Sequence, residues 1–140
     1  MNDLIAEIVA YDDYKEQIIK IRKDVFILEQ NVPKNLEIDG LDSEAKHVLV
    51  FDAGIGIGTG RMLPDGHIGR VAVYRQCRGK GIGKIIMEKL ISTAGDLHLS
   101  EVWLSSQYHA RDFYRKLGFI VFGEIYQDAG IDHINMKKKL

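Results

Sequence analysis

Apolar and polar positions change period several times along the chain, and each change marks an element. Ile5 to Val9 is a short apolar run flanked by acids, which predicts an opening strand. The Asp12-Asp13 pair then offers a helix start, and from Tyr14 to Gln30 the pattern is helical. Ile18, Ile21, Val25 and Leu28 recur at steps of three and four, which places one apolar stripe on an amphipathic helix. Pro33 stops that helix or its extension. Between Lys34 and Lys46 the acids Glu37, Asp39, Asp42 and Glu44 cluster around Gly40 with little periodicity, predicting an irregular or partly helical acidic loop.

Strands follow in succession. His47 to Phe51 reads as one, Asp52-Ala53-Gly54 as a turn into a second that ends near Arg61-Met62-Leu63, and Pro64-Asp65-Gly66 as the turn into a third over Ile68 to Val73. Tight connections of this kind predict an antiparallel meander. Within the second strand, Gly54-Ile55-Gly56-Ile57-Gly58-Thr59-Gly60 has a period of two and no amphipathic helix after it. That pattern fits a strand with one nearly bare face, where another element or a ligand packs close, better than a nucleotide loop. After Val73, Arg78-Gly79-Lys80-Gly81-Ile82-Gly83 opens a run with Ile82, Ile85, Ile86, Leu90 and Ile91 at helical spacing. A strand at Glu101 to Ser105, a short helix from His109 to Leu117 stopped by Gly118, and strands at Phe119 to Ile125 and His133 to Lys138 close the chain. The order is mixed α/β without internal repeat or low-complexity linker, so residues 1–140 are expected to form a single domain.

Composition narrows the function classes. With 140 residues, 46% hydrophobic and 28% charged, the chain can bury an ordinary core, which excludes global disorder. A net charge of −1 gives no field for a polyanion, and Lys137-Lys138-Lys139 reads as a solvated tail, so no nucleic-acid partner is expected. Cys77 is the sole cysteine, which fits a reducing, cytoplasmic setting and excludes an intrachain disulfide or multi-cysteine zinc framework. The five histidines lack ligand spacing, so no metal is expected. Met1 to Glu7 lack the basic start and long apolar stretch of a signal peptide, and no apolar run approaches a membrane span.

The glycine-rich turn after Val73 carries the most chemical information. Orphan amides at a helix start attract an anion, and Gly79, Gly81 and Gly83 let a ligand approach the backbone. Arg78, Lys80 and Lys84 add positive charge suited to a phosphate or pyrophosphate; the alternative is a tight turn with solvated basic residues. A Walker loop needs a hydroxyl after its lysine, and here Ile85 follows Lys84, which disfavours a nucleotide triphosphatase. A dinucleotide fold alternates parallel strands with helices from the start, whereas this loop follows hairpin-like strands, which disfavours NAD.

The segment Val71-Ala72-Val73-Tyr74-Arg75-Gln76-Cys77-Arg78-Gly79-Lys80-Gly81-Ile82-Gly83 resembles the cofactor segment of the GNAT-superfamily acyl-CoA N-acyltransferases. Arg78-x-x-Gly81-x-Gly83 matches that superfamily's Gln/Arg-x-x-Gly-x-Gly/Ala signature, and Ala110-Arg111-Asp112-Phe113-Tyr114-Arg115-Lys116-Leu117-Gly118-Phe119 is similar to its second landmark. In the N-terminal half, Arg22-x-x-Val25-Phe26-x-x-Glu29-Gln30, Glu37-Ile38-Asp39-Gly40 and His47 resemble a bacterial branch of small, mostly uncharacterised members that assigns no acceptor. The resemblance covers nearly the whole chain and implies a mixed, mostly antiparallel, centrally splayed sheet flanked by helices. It also implies that the N-terminal helix and acidic loop form the acceptor side.

The resemblance implies roles residue by residue. Val71, Ala72 and Val73 become contacts of the pantetheine arm of acetyl-CoA, and the amides from Arg78 through Gly79, Lys80, Gly81 and Ile82 to Gly83 hold its pyrophosphate. A backbone N–H near Val73 would polarise the thioester carbonyl and stabilise the oxyanion of a tetrahedral intermediate. Tyr114 resembles the tyrosine that faces the leaving sulfur, where its phenol could donate a proton; the alternative is a half-buried packing aromatic. Gln107 stands where many members carry Asn and is a further cofactor contact. An amine acceptor must first lose a proton, and Glu29 is the first candidate base, with Asp39, His47 and His109 behind it. His67, His98 and His133 read as surface or structural, and Cys77 as no nucleophile, because the family reaction is direct transfer. The expected activity is transfer of an acetyl group to a primary amine of a small molecule or a protein, the acidic loop suggesting a cationic acceptor. A non-catalytic acyl-CoA-binding sensor module is the alternative, and exposed strands leave room for a homodimer.

Overall fold

The computed structural model describes residues 4–140, the side chains at positions 35 and 36 excepted. Residues 1–3, the start of the Met1 to Glu7 stretch that lacks a signal-peptide pattern, lie outside the described residues. Strands β1 (Leu4–Val9), β2 (Lys46–Asp52), β3 (Ile55–Met62) and β4 (Ile68–Val73) form an antiparallel sheet in that order, the meander that the turns predict. Strands β5 (Glu101–Gln107), β6 (Ile120–Asp128) and β7 (Ile131–Lys139) form a second antiparallel sheet in the order β5-β7-β6. The sheets meet at one end of β4 and β5, which run parallel there. The Trp103 N–H donates to the Gly66 carbonyl at 3.0 Å, and the His67 and Trp103 rings stack at 3.8 Å. Past this bridge no ladder joins β4 to β5, so the centre of the sheet is splayed as expected. Among the described residues no helix is long and apolar enough to cross a membrane.

Strand alternation sends side chains to two cores. Val48 and Val50 of β2 pack with Ile82, Ile86, Met87 and Leu90 of helix α3 (Ile82–Asp96), while Leu49 between them packs with Ile18, Ile21 and Val25 on the opposite face. Helix α1 (Tyr11–Arg22) covers that second face, and α2 (Lys34–Glu37) and α4 (Arg111–Arg115) are single short turns. The glycine stretch of β3 serves both faces, because a bulge near Ile57 shifts the register between Val50 and Phe51. An added Cβ at Gly56 would lie 3.2 Å from Gln17 of α1, whereas one at Gly60 would lie 2.6 Å from Ile86 of α3. The bare face is thus a surface for helices, and α3 seats itself directly on the strand.

The N-terminal helix and both closing strands differ from their predicted form. The helix predicted to run to Gln30 widens at Lys23 into a π-helical segment over Lys23–Glu29, where the Gln30 N–H reaches back five residues to the Val25 carbonyl at 3.1 Å. A wider turn breaks the three-four periodicity, so Leu28 leaves the stripe and is 65% exposed, and Phe26 packs partly into the α1 core instead. The closing strands are longer than predicted, joined at Ala129-Gly130 with φ of 52° and 76°. Positive φ at both central residues is the tight hairpin turn that matches strand twist.

The acidic loop is held by arginines from inside. Arg22, fully buried, donates from Nε to Glu37, from one terminal nitrogen to Asp42 at 2.7 Å and from the other to the Glu37 carbonyl at 3.2 Å. Arg61 donates to Asp42 and Asp39, each at 2.9 Å, and Arg70 to the Glu37 carbonyl at 3.0 Å and to Asp39 at 3.3 Å. His47 donates from Nε2 to the Asp42 carbonyl at 2.8 Å, and Tyr11 stacks on its ring. The charges of Glu37, Asp39 and Asp42 are therefore met within the chain. Hydrogen bonds from Arg61 hold the Asp39 carboxyl well below the usual carboxylate range; for Asp42 burial pushes upward, and Arg22 and Arg61 overcome it. Burial lowers both His47 and His67.

These shifts share one sign. Each group binds its proton more readily in the unfolded chain, so its contribution is present above the unfolded value and lost as pH falls through the folded one. Stability is therefore expected to decline first below about pH 6.5, where the unfolded histidines begin to charge, and again below about pH 4 as the unfolded carboxyls take up protons. Urea midpoints measured from pH 8 to pH 3 check this, and a midpoint that holds or rises on acidification contradicts it.

Candidate active site

A left-handed residue opens the splay. Between the pairs Thr59–Ala72 and Arg61–Gly69, β3 contributes Gly60 alone while β4 contributes Arg70 and Val71, and Arg70 sits at φ 51°. Such a bulge bends its strand and re-aims the next side chain. Val71 thereby lines a cleft of about 680 Å³ together with Phe26, Leu104, Gln107, Tyr114 and His133. The cleft passes between the sheets, from Met87 on the α3 side to Gln30 and Pro33 on the side of α1 and α2.

Hydrogen-bond alternation orients the end of β4. Tyr74 donates its N–H to the Ile57 carbonyl at 3.1 Å, so the peptide groups of Val73, one residue earlier, face away from β3 toward the splay. The Val73 carbonyl accepts from Arg78 Nε at 3.0 Å. Ala72, on the opposite alternation, buries its methyl in the α1 core.

The loop into α3 fits a pyrophosphate by its own geometry. Gly79 and Gly81 have φ of 77° and 80°, and a Cβ at either would meet nothing within 4 Å, so the backbone there is bare and open. Gly81 caps α3 with no side-chain hydrogen bond, and the helix bonds begin with the Ile85 N–H donating to the Gly81 carbonyl. The amides of Ile82, Gly83 and Lys84 are thus without helical partners at the positive end of a 15-residue helix. Ile82 is buried and anchors the turn, Phe113 lies 3.6 Å from a Cβ built on Gly83, and Arg78, Lys80 and Lys84 are exposed.

The candidate proton-transfer groups are distributed unequally. Tyr114 and Gln107 share the cleft, with the Tyr114 ring against Phe113 and Phe119. Burial raises the Tyr114 phenol above its ordinary value. Every buried side-chain nitrogen or oxygen among the described residues has a partner, and the Tyr114 hydroxyl has none, so it opens to the cleft. Glu29 lies elsewhere, in a depression of about 610 Å³ lined also by Lys20, Asp24, Tyr74 and Arg75. Its two oxygens accept from Arg78 at 2.6 and 2.8 Å, and this pair lowers its carboxyl. Asp39 and His47 belong to the internal ion network, and His109 is exposed in the turn before α4. Arg70, Phe26 and His133 also line the cleft, though the sequence assigns none of them a role in the site. Their signals are a bulge, a π-helical turn and a hairpin, each a property of pairing rather than of local pattern.

Known proteins agree with this architecture. Residues 10–140 match the Acetyltransferase (GNAT) domain. The chain is 37% identical over 137 residues to the uncharacterised N-acetyltransferase YjcF of Bacillus subtilis (strain 168), covering 95% of this chain and 98% of that one. It is 31% identical over 132 residues to protein ElaA of Escherichia coli (strain K12), covering 88% and 86%. The crystal structure of an acyl-CoA N-acyltransferase from Pseudomonas aeruginosa matches with a TM-score of 0.87 at 30% identity, over 96% of this chain and 99% of that one. The chain belongs to the GNAT acetyltransferase family, enzymes that transfer acyl groups from acyl-CoA.

Proposed function

We propose that this protein moves an acetyl group from acetyl-CoA to a primary amine of a small molecule or a protein, by direct transfer and in the cytoplasm. The observation that carries this is the cleft between the sheets, where the unpartnered Tyr114 phenol shares the wall with Val71 of β4, while the adjacent Phe113 lies 3.6 Å from a Cβ built on Gly83 in the uncapped, glycine-lined start of α3. Acetyl-CoA, when bound, supplies an activated acyl thioester. The amides from Arg78 to Gly83, with Lys80 and Lys84 around them, would hold its pyrophosphate. The Val73 N–H is available to a thioester carbonyl in the splay, and Val71 and Gln107 would flank the arm that reaches it. Tyr114 would give its proton to the departing sulfur. Glu29, ion-paired with Arg78, would fix that guanidinium against the Val73 carbonyl. Cys77 is half-buried against the α3 core, and the proposed transfer needs no covalent acyl-enzyme on it.

Calorimetric titration with acetyl-CoA and with CoA tests the reading. The wild type is expected to bind both saturably, and Gly81→Asp to weaken binding about a hundredfold or more, because like charges brought together cost several kcal/mol. Gly81→Asn places a similar side chain at the same φ of 80° without the charge and should stay close to wild type. No saturable wild-type binding overturns the proposal. Binding without CoA release across a panel of amines leaves only a non-catalytic acyl-CoA-binding module.

A further inference from the structure

The acceptor amine arrives as an ammonium and needs a group that will take its proton inside the cleft. Three side chains on the cleft wall have the chemistry: Glu37, Asp128 and His133. Glu37 is 3% exposed and its carboxylate is committed to Arg22, while Asp128 ends β6 at the exposed hairpin turn. His133 differs from both. Its Nδ1 lies 2.8 Å from the Ile131 carbonyl, which can only accept, so Nδ1 carries the hydrogen and Nε2 of the neutral ring keeps its lone pair. The ring stacks on Tyr126 from β6, with centroids 5.9 Å apart, and His133 pairs in register with Gln107 at the end of β5. Gln107 leads into the turn that carries Tyr114, so the candidate base and the candidate acid stand on joined elements of one cleft.

We infer that His133 is a catalytic residue, the base that takes the proton from the acceptor amine through Nε2. This rests on the proposed acetyl transfer. In the step, Nε2 accepts one proton from the ammonium, and the freed lone pair forms the C–N bond as the thioester C–S bond breaks. Tyr114 protonates the sulfur and regains a proton from the new amide nitrogen. The imidazolium then releases its proton to water, so one proton reaches solvent per turnover. Tyr126 of β6 stacks on His133 and Asp132 precedes it, and the charged or titratable groups that share its cleft are Glu37, Arg70, Tyr114 and Asp128.

Two measurements test the assignment. Long-range nitrogen–proton NMR correlations, assigned by their loss in His133→Gln, are expected to show the Nδ1–H tautomer at pH 8, and an Nε2–H tautomer overturns the proposal. The second follows CoA release from acetyl-CoA with 2-phenylethylamine, which is protonated at neutral pH, and with aniline, which is not. His133→Gln should lower kcat/KM for 2-phenylethylamine about 10²-fold and remove one ionisation from its pH profile, yet leave aniline within about threefold. No loss with the alkylamine, equal loss with both, or transfer of the effect to Asp128→Asn overturns it. If the wild type accepts neither amine, the tautomer decides. Failure of wild-type acetyl-CoA binding in the calorimeter overturns the acetyl-transfer reading instead, so the two failures are distinguishable.

Discussion

Replacing Arg22 with Ala is expected to destabilise the fold by about 3–5 kcal/mol, read as a fall in the guanidinium midpoint at unchanged slope. The magnitude comes from what the substitution leaves behind. Glu37 and Asp42 are 3% and 5% exposed, and each accepts from the Arg22 guanidinium. Without it, among the described residues Glu37 keeps Arg70 at 3.9 Å, and Asp42 keeps Arg61, which it shares with Asp39. Arg22→Lys should recover little, because one ammonium cannot reproduce a planar fork that spans two carboxylates and a carbonyl. Gln in place of Glu37 leaves a neutral partner for the guanidinium and should cost less than loss of Arg22. The damage extends beyond stability, since Glu37 and Arg70 also line the cleft. A wild-type midpoint in Arg22→Ala would mean that the buried charges contribute nothing to the fold.

The reach of the sequence follows from the range of the forces behind each feature. Strands β1 to β4 and helix α3 were legible because their patterns are local: alternation, turn residues and three-four spacing occur within a few residues of each other. The glycine period in β3 was legible as a bare face, but the helix that covers each part depends on the bulge at Ile57, a matter of register with β2. Leu28 departs from the predicted stripe for a similar reason, since its exposure depends on π-helical winding that a fixed 3.6-residue period does not contain. The acids of the loop suggested a cationic ligand when counted along the chain. Their partners, Arg22, Arg61 and Arg70, come from α1, β3 and β4, and only the fold brings them together. At the site, the amides of the α3 loop and the phenol of Tyr114 lie within recognisable motifs. Glu29 and His133 cannot be sorted from sequence alone, because the ion pair with Arg78 and the bond to the Ile131 carbonyl give each its character.

Tyr114→Phe is expected to lower kcat by about 10²- to 10³-fold with little change in acetyl-CoA affinity, the size of a lost general acid. Packing should survive the change. The ring keeps its edge contacts with Phe113 and Phe119 at 5.0 and 6.1 Å, and no protein hydrogen bond is lost because the hydroxyl has none. The unfolding midpoint should therefore move by less than about 1 kcal/mol. Burial separates acid from spectator in a second way. The phenol is raised above its ordinary value, about 10 in reference peptides, so it stays protonated throughout the neutral and mildly alkaline range. An acid with a raised pKa loses its proton only as pH climbs past that value, so the alkaline limb of the wild-type kcat profile should fall above pH 10 and be absent in Tyr114→Phe. Loss of kcat together with loss of the limb marks proton donation. Loss of kcat with the limb intact would assign the acid role to another group and leave Tyr114 as a wall of the cleft. An unchanged kcat would remove the residue from the chemistry, and the sulfur would then leave as a thiolate or take its proton from water in the open splay between β4 and β5.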